Sequence, residues 1–135
     1  MLFRSINAQV VSVMGTLVNG SGLVMPQRFQ ASKFWFWMVD QKCTWFSAVP
    51  TILSYLMNIE EGEKIKSKLG RVRFGRSASA ALPPALHKAF EERFGIKIVE
   101  TMGITETASP LLSNPIDTKL HNLGSPGIAD RTSVV

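Results

Sequence analysis

The sequence predicts an α/β fold in which a partly parallel sheet is covered by helices. Short apolar runs rich in sheet-favouring residues alternate along the chain with helical segments of about a dozen residues. The chain has 135 residues, of which 45% are hydrophobic and 19% charged, so it can bury a core. This length suits one domain or part of one, and no internal repeat divides it. We therefore treat residues 1–135 as a single α/β unit.

Four helices are predicted from apolar spacing and from end signals. The first covers residues 8–18 and ends at Asn19–Gly22; its apolar face consists of Val10, Val13, Met14, Leu17 and Val18. Ser32 can cap the second helix. Pro50 and Pro84 open the third and fourth, because proline at the first helical position sacrifices no hydrogen bond. Gly95 suits the end of the fourth helix.

Four strands are predicted between these helices, at residues 23–25, 44–49, 72–75 and 96–99. Residues 60–68 are polar and are expected to be exposed, and the chain beyond Thr107 is rich in turn residues. Two of these strands run directly into a turn, and the resulting strand-to-turn junctions lie at residues 74–81 and 99–106. Because parallel strands end at the same edge of a sheet, both junctions are expected at one edge, where open α/β sheets bind ligands.

The chain carries a net charge of +5, and much of the excess lies in one basic segment. The segment comprises Lys64, Lys66, Lys68, Arg71, Arg73 and Arg76. A solvated surface is the favoured interpretation. Steering of anionic substrates and binding of nucleic acid or anionic lipid are alternatives, but no zinc-ligand spacing or RNA-recognition motif accompanies the segment.

Several other features narrow the class of protein. Cys43 is the single cysteine, so no intrachain disulfide framework exists, and a buried structural thiol is predicted. The apolar stretch at residues 10–18 is too short to span a membrane, which favours a cytoplasmic location. His87 is predicted on the helix surface, and His121 in a polar turn without a partner histidine at ligand spacing.

The second junction contains the most informative residues. Thr105 offers a hydroxyl for a phosphate oxygen, and Glu106 offers the hard oxygen ligand that Mg²⁺ prefers. On spacing alone, an ordinary loop in which Thr105 caps a turn and Glu106 faces water would fit equally well.

Residues 100–107 resemble the Tyr-Gly-x-Thr-Glu signature of adenylate-forming enzymes, with Met102 where the tyrosine usually stands. Four further blocks resemble this family in the same order and spacing: Val49–Leu53, Ser77–Leu82, Phe90–Gly95 and Gly124–Gly127. The chain is thus identified as a member of the family, similar to acyl-CoA synthetases and to an internal piece of their large N-terminal domain.

The resemblance implies that the protein uses ATP, Mg²⁺ and CoA. It also implies that the substrate is a carboxylic acid, which we expect to be a fatty acid. The acid would become an acyl adenylate and then a CoA thioester. The implied nucleotide- and acyl-binding residues are Ser77, Ala78, Ser79, Glu100, Thr101, Met102, Gly103 and Thr105. The first three would form one wall of the adenine pocket and Met102 the other. Thr105 would contact the α-phosphate and Glu106 would hold Mg²⁺, making these two the implied catalytic residues.

The sequence also departs from the family pattern. Ser5 stands where a histidine is often found, Ala78 and Ala81 replace a glycine and a proline, and residues 128–135 match poorly. The phosphate loop, the ribose-binding aspartate and the catalytic lysine of the small C-terminal domain have no counterpart in residues 1–135. We therefore expect a fragment that is incomplete for catalysis alone.

Two other functions stay open on the sequence. One is a non-catalytic binding or assembly module that retains the fold, and the less favoured one is a basic nucleic-acid binder. Self-association through apolar surface left exposed is a further expectation.

Overall fold

A computed structural model describes residues 7–107, 110–116 and 119–129, so Ser5 and residues 130–135 lie outside the described part. The α-helices are α1 (Gly15–Val18), α2 (Ala31–Asp40), α3 (Pro50–Met57), α4 (Glu61–Ile65) and α5 (Pro84–Phe94). The strands are β1 (Trp45–Ala48), β2 (Phe74–Ser77), β3 (Ile98–Gly103), β4 (Pro110–Ser113) and β5 (Ile128–Ala129). A π-helical segment, Asn7–Met14, precedes α1, and 3₁₀ turns cover Lys66–Arg71 and Thr105–Thr107.

The strands form one mixed sheet in the order β1-β2-β3-β4-β5. β1, β2 and β3 are parallel, which confirms the predicted α/β class, and β4 and β5 are added antiparallel. The two antiparallel strands were not predicted, because they are only four and two residues long and lie among turn residues.

Local sequence signals predicted the starts of helices α3 and α5 correctly. Pro50 and Pro84 each stand at the start of their helix, as predicted. Gly95 follows α5 with a φ of 68°, the left-handed geometry that a glycine adopts without steric penalty. α2 begins at Ala31, and no side chain, including that of Ser32, makes a capping hydrogen bond there.

Three predicted segments differ from the structure. Residues 23–25 form no strand, since a strand needs a paired neighbour and the described sheet contains only β1–β5. The first predicted helix is wound as a π-helix before α1, and Met14, Leu17 and Val18 are exposed rather than packed. The polar segment 60–68 was expected to be exposed, but α4 directs Ile65 into the core.

The core is built around aromatic side chains between the sheet and helices α2, α3 and α5. Trp35 and Phe90 are fully buried, and the Trp35 ring lies 4.6 Å from that of Phe94. Phe46 on β1 contacts this group edge-on to Trp35, with ring centroids 6.3 Å apart. Aromatic rings contribute large buried areas, so this cluster fixes one face of the sheet against the helices.

Glu91 on α5 is the centre of a polar cluster beneath β3. Its Oε1 accepts hydrogen bonds from the Ile98 backbone N–H at 2.8 Å and from His121 Nε2 at 2.9 Å. His87 Nε2 lies 3.2 Å from the same oxygen, and Lys97 Nζ lies 2.7 Å from Oε2. One carboxylate therefore connects α5, the start of β3 and the loop that carries His121.

The expectations for both histidines were wrong. His87 is completely buried, because it shares a helix face with Phe90 and Phe94 rather than pointing to solvent. His121 has a partner histidine after all, since the two rings lie 5.4 Å apart and edge-on.

This cluster brings three potential metal-ligand atoms within 4.8 Å of one another. However, His87 Nδ1 accepts the Gly124 N–H at 3.3 Å, so its Nε2 carries the proton that is donated to Glu91 and to the Ile98 carbonyl. Both nitrogens of His121 also face acceptors, the Pro115 carbonyl and Glu91. His87 Nε2 and both His121 nitrogens thus face acceptors, and His87 Nδ1 is occupied by the Gly124 N–H, so the cluster is structural.

Burial alone would raise the pKa of Glu91, but hydrogen bonds from His87, Lys97 and Ile98, with the charge of His121, outweigh it and lower the pKa to about 2. A carboxyl group whose pKa falls on folding stabilises the fold above its ordinary pKa near 4.5. That contribution is lost as the pH falls towards 2.

We predict that Glu91→Gln lowers the free energy of unfolding at pH 7 by about 2 kcal/mol, because charged hydrogen bonds are lost. The difference between wild type and variant should shrink as the pH falls from 4.5 to 2. Urea unfolding followed by tryptophan fluorescence measures both. Glu92→Gln is the matched control, because Glu92 is exposed and pairs with Lys88 only at 3.9 Å. Equal effects of the two variants would contradict the role given to Glu91.

Gly75 on β2 leaves room for the aromatic core. A Cβ there would collide with the Phe46 ring and lie 2.8 Å from Ile98 Cδ1. Gly75→Ala should therefore destabilise the fold by about 1–3 kcal/mol through overpacking. Gly70→Ala is the control, because a Cβ at Gly70 meets no atom within 4 Å. Urea unfolding of both variants tests this, and a neutral Gly75→Ala would contradict the packing described.

Candidate functional site

The two strand-to-turn junctions singled out by the sequence lie side by side. β2 and β3 are parallel, and their register places Ser77 opposite Glu100. Thr101 Oγ1 reaches the Ser77 carbonyl at 3.5 Å. The prediction that both junctions share one edge of the sheet is therefore confirmed.

Glu100 holds the turn that follows β2. Its Oε1 accepts the Leu82 backbone N–H at 3.0 Å, 18 residues away along the chain. Ala78 N–H bonds the Ala48 carbonyl at 3.3 Å, which ties the beginning of the turn to β1. Ser79 has a φ of 73°, a left-handed conformation that is uncommon for a residue other than glycine. The turn is thus anchored at both ends and sharply bent in the middle.

Two buried polar atoms at this edge make no hydrogen bond within the described residues. They are Ser77 Oγ and Glu100 Oε2, on residues that are 0% and 5% exposed. A buried polar atom without a partner costs about 1–3 kcal/mol, and such atoms in native proteins call for an explanation. A ligand that donates and accepts hydrogen bonds would satisfy both atoms.

Beyond Glu100, β3 continues past the last residue paired with β2. Met102 and Gly103 belong to this extension, and the pairing with β4 is irregular between them. Met102 is 48% exposed. Its flexible thioether is available to pack on a flat ligand.

Thr105 and Glu106 follow in the 3₁₀ turn Thr105–Thr107, and both are exposed. A solvated carboxylate oxygen is a ligand type that suits Mg²⁺, which keeps several waters when it binds. In the described ranges, the group of three clustered metal-ligand residues is His87, Glu91 and His121, and Glu106 is not among them. Glu106 therefore offers a single exposed carboxylate at the end of β3.

Arg76 is a residue that the sequence analysis assigned to the basic surface, and the structure corrects this. The side chain is 7% exposed on β2, where its Nη1 donates to Ser47 Oγ at 3.4 Å. Burial lowers the pKa of its guanidinium to about 10, so it remains charged at neutral pH. Its place between Gly75 and Ser77, at the end of a strand, was the signal that could have separated it from the exposed lysines.

No helix among the described residues is long and apolar enough to cross a membrane.

Comparisons with known proteins agree with this geometry. Residues 4–134 match the family model described as AMP-binding enzyme. A sulfoacetate–CoA ligase of Cupriavidus necator is 52% identical over 122 residues, which are 90% of this chain and 23% of that protein. An oxalate–CoA ligase of Arabidopsis thaliana is 30% identical, over 90% of this chain and 24% of that protein.

A solved structure of ATP-bound MatB from Rhodopseudomonas palustris superposes with a TM-score of 0.82 and 26% identity. The superposition covers 93% of this chain and 24% of MatB. The chain thus spans about a quarter of the length of the relatives it matches. From the match over nearly its whole length, the chain belongs to the AMP-binding enzyme family of adenylate-forming CoA ligases and covers a piece of their N-terminal domain.

Proposed function

We propose that residues 1–135 form a single part of the nucleotide- and acyl-binding half of an ATP-dependent CoA ligase. The observation that carries the proposal is the pair of parallel strand ends, β2 and β3, where Ser77 is paired with Glu100 and where Ser77 Oγ and Glu100 Oε2 make no hydrogen bond within the described residues. In open α/β sheets ligands bind at this edge. The family membership supports ATP and CoA as the other reactants.

The role that we propose for each residue follows from its position. The turn of Ser77, Ala78 and Ser79 forms one wall of the nucleotide site, and the half-exposed Met102 forms the other. Glu100 supports this wall indirectly, because its Oε1 accepts the Leu82 N–H and so holds the end of the turn in place. Thr101 and Gly103 border the acyl carboxylate.

Thr105 and Glu106 lie where the charged part of the reactants would be bound. The Thr105 hydroxyl donates to an α-phosphate oxygen. Glu106 supplies an oxygen ligand to Mg²⁺, which neutralises phosphate charge while the substrate carboxylate attacks. The exposure of both side chains supports these roles, since each can reach a ligand without moving core residues.

The acid substrate is proposed as a carboxylic acid, with two classes in view. The fatty acid expected from the sequence corresponds to relatives that match less of the chain, such as the bovine long-chain fatty acid transport protein 1 at 31% identity over 72% of the chain. Relatives named for sulfoacetate and oxalate cover 90% of it and favour short acids with a second negative charge. The cytoplasmic location expected from the sequence would be compatible with either class of acid substrate.

We predict that the purified chain binds AMP weakly in the presence of Mg²⁺ and that Glu106→Gln weakens this binding about tenfold, a loss of about 1.4 kcal/mol. Removal of Mg²⁺ should abolish the difference between the two proteins. Fluorescence titration or calorimetry measures the binding, and Glu92→Gln is the control because it removes an exposed carboxylate on α5.

The same protein should give no ATP–pyrophosphate exchange with any acid, because the phosphate loop and catalytic lysine are not among its residues. Robust exchange would contradict the incomplete-fragment proposal. Mg²⁺-dependent AMP binding that ignores Glu106→Gln would instead favour a non-catalytic binding module. Salt-sensitive binding of DNA or RNA that depends on residues 64–73 would favour the nucleic-acid alternative.

A further inference from the structure

Both ring nitrogens of His121 face oxygen acceptors. Nδ1 lies 2.8 Å from the Pro115 carbonyl oxygen, and Nε2 lies 2.9 Å from Glu91 Oε1. The side chain is 3% exposed, so solvent cannot replace either contact. Neither acceptor has a proton to give, because one is a carbonyl and the pKa of the Glu91 carboxyl is lowered to about 2. An uncharged imidazole has one N–H and satisfies one acceptor, whereas an imidazolium has two and satisfies both.

His87 shares the same Glu91 oxygen, but its surroundings suit an uncharged ring. Its Nδ1 accepts the Gly124 N–H at 3.3 Å. Its Nε2 lies 3.0 Å from the Ile98 carbonyl oxygen and 3.2 Å from Glu91 Oε1. One nitrogen thus accepts and the other donates, which is the pattern of a neutral imidazole.

Two lysines add charge near this cluster. Lys97 Nζ lies 2.7 Å from Glu91 Oε2, and the exposed Lys119 lies two positions before His121. Lysine side chains ordinarily keep their charge far above neutral pH, whereas histidine changes its charge between about pH 5 and 8. The charge that can change near neutral pH is therefore that of the histidine whose two nitrogens both face acceptors.

Residues 119–127 rest on α5 through His121 and Gly124. The Gly124 N–H is bonded to His87, and a Cβ at Gly124 would collide with the Pro84 ring. The Gly124 contact is made by an uncharged ring and by close packing, whereas the His121 contact pairs a titratable group with a carboxylate. The His121 contact is accordingly the one that a change of pH can alter.

Asn114 connects this segment with the candidate site. Its side chain is fully buried, donates through Nδ2 to the Asn122 carbonyl at 2.8 Å, and accepts the Asn122 N–H at 3.1 Å. The backbone N–H of Asn114 donates to the Glu100 carbonyl at 2.8 Å. Asn122 follows His121 directly, so one buried side chain joins the neighbour of the histidine to a residue of the site.

We propose that His121 is a pH-sensitive latch, which fastens residues 119–127 to α5 when its ring is protonated. When the ring loses a proton, a nitrogen lone pair faces an oxygen lone pair at Pro115 or at Glu91. A hydrogen bond between buried groups is then lost, which is unfavourable. Through Asn114, loosening of the segment also weakens the backbone contact at Glu100. The latch requires no assumption about the reaction or its substrates.

The direction of the pH dependence follows from which state holds the proton. The folded latch retains a proton that the unfolded chain releases as the pH rises through the ordinary range of histidine, about pH 5 to 8. The stabilisation is therefore present at the acidic end of this range and is lost at the alkaline end. Glu91 ionises well below the range, so its own titration does not contribute to the change.

The first test compares His121→Gln with wild type by urea unfolding at about pH 5.5 and about pH 8.5. Glutamine carries no charge at either pH, so the variant should raise the unfolding equilibrium constant at least about tenfold at the lower pH and less than about threefold at the higher pH. His87→Gln, which removes the uncharged ring, should show no such fall. Glu92→Gln, at an exposed carboxylate of α5, should change the constant little at either pH. An equal effect of His121→Gln at both pH values overturns the proposal, because a merely structural histidine would give that result.

Amide hydrogen exchange of the wild type decides the matter even if His121→Gln does not fold. Protection factors, corrected for the intrinsic pH dependence of exchange, should fall at least about tenfold at Gly124 and Asn114 between about pH 5.5 and about pH 8.5. The Gly75 amide, which bonds the Lys97 carbonyl at 2.8 Å in the sheet, is the internal reference. Equal changes at all three amides would show opening of the whole fold, and unchanged protection at Gly124 would show no latch. Either result overturns the proposal.

The ring is observed directly by ¹⁵N NMR of the two histidines, in EDTA at about pH 5.5. Both nitrogens of His121 should carry protons, whereas Nδ1 of His87 should not. An unprotonated nitrogen on His121 at this pH overturns the proposal. Saturable Zn²⁺ binding in the absence of EDTA, abolished by His121→Gln, also overturns it, because the cluster would then be a metal centre.

Discussion

The parallel pairing of β2 with β3 is the constraint on which the candidate site depends. It places Ser77 opposite Glu100, and every other site residue is positioned by its distance along the chain from that pair. The register is itself set by the core, because Gly75 packs between Phe46 and Ile98 only when those residues face the same helices. A shift by one residue would exchange the two faces, moving Arg76 into the aromatic core and Gly75 out of it.

The buried charged residues Glu91, Glu100 and Arg76 have different structural positions and contacts. Glu91 fixes α5 to β3 from below, with cations and N–H donors on several sides. Glu100 accepts the Leu82 N–H with one oxygen, and its other oxygen is buried without a hydrogen bond in the described residues. Arg76 carries positive charge on the second face of the same sheet.

Local features were predictable from sequence because they depend on neighbouring residues. The helix starts at Pro50 and Pro84 and the left-handed Gly95 follow from backbone sterics alone. The two junctions were placed at one edge because parallel strands require it. Side-chain burial was predicted less well. His87 lies on the same face of α5 as Phe90 and Phe94, but because histidine is polar it was expected to be exposed to solvent. Its partners Glu91, Ile98 and Gly124 come from three different parts of the chain, and one sequence does not reveal such contacts.

Cys43 lies where α2 passes into β1. Its N–H bonds the Met38 carbonyl at 2.9 Å, and its sulfur is half-buried 4.0 Å from the Trp37 carbonyl. Burial raises the pKa of this thiol, so little reactive thiolate is present in the folded state at neutral pH. Because the chain has one cysteine, an alkylating reagent modifies the junction between α2 and β1 alone, and its rate reports how accessible this junction is. The native sequence thus contains its own probe of this junction.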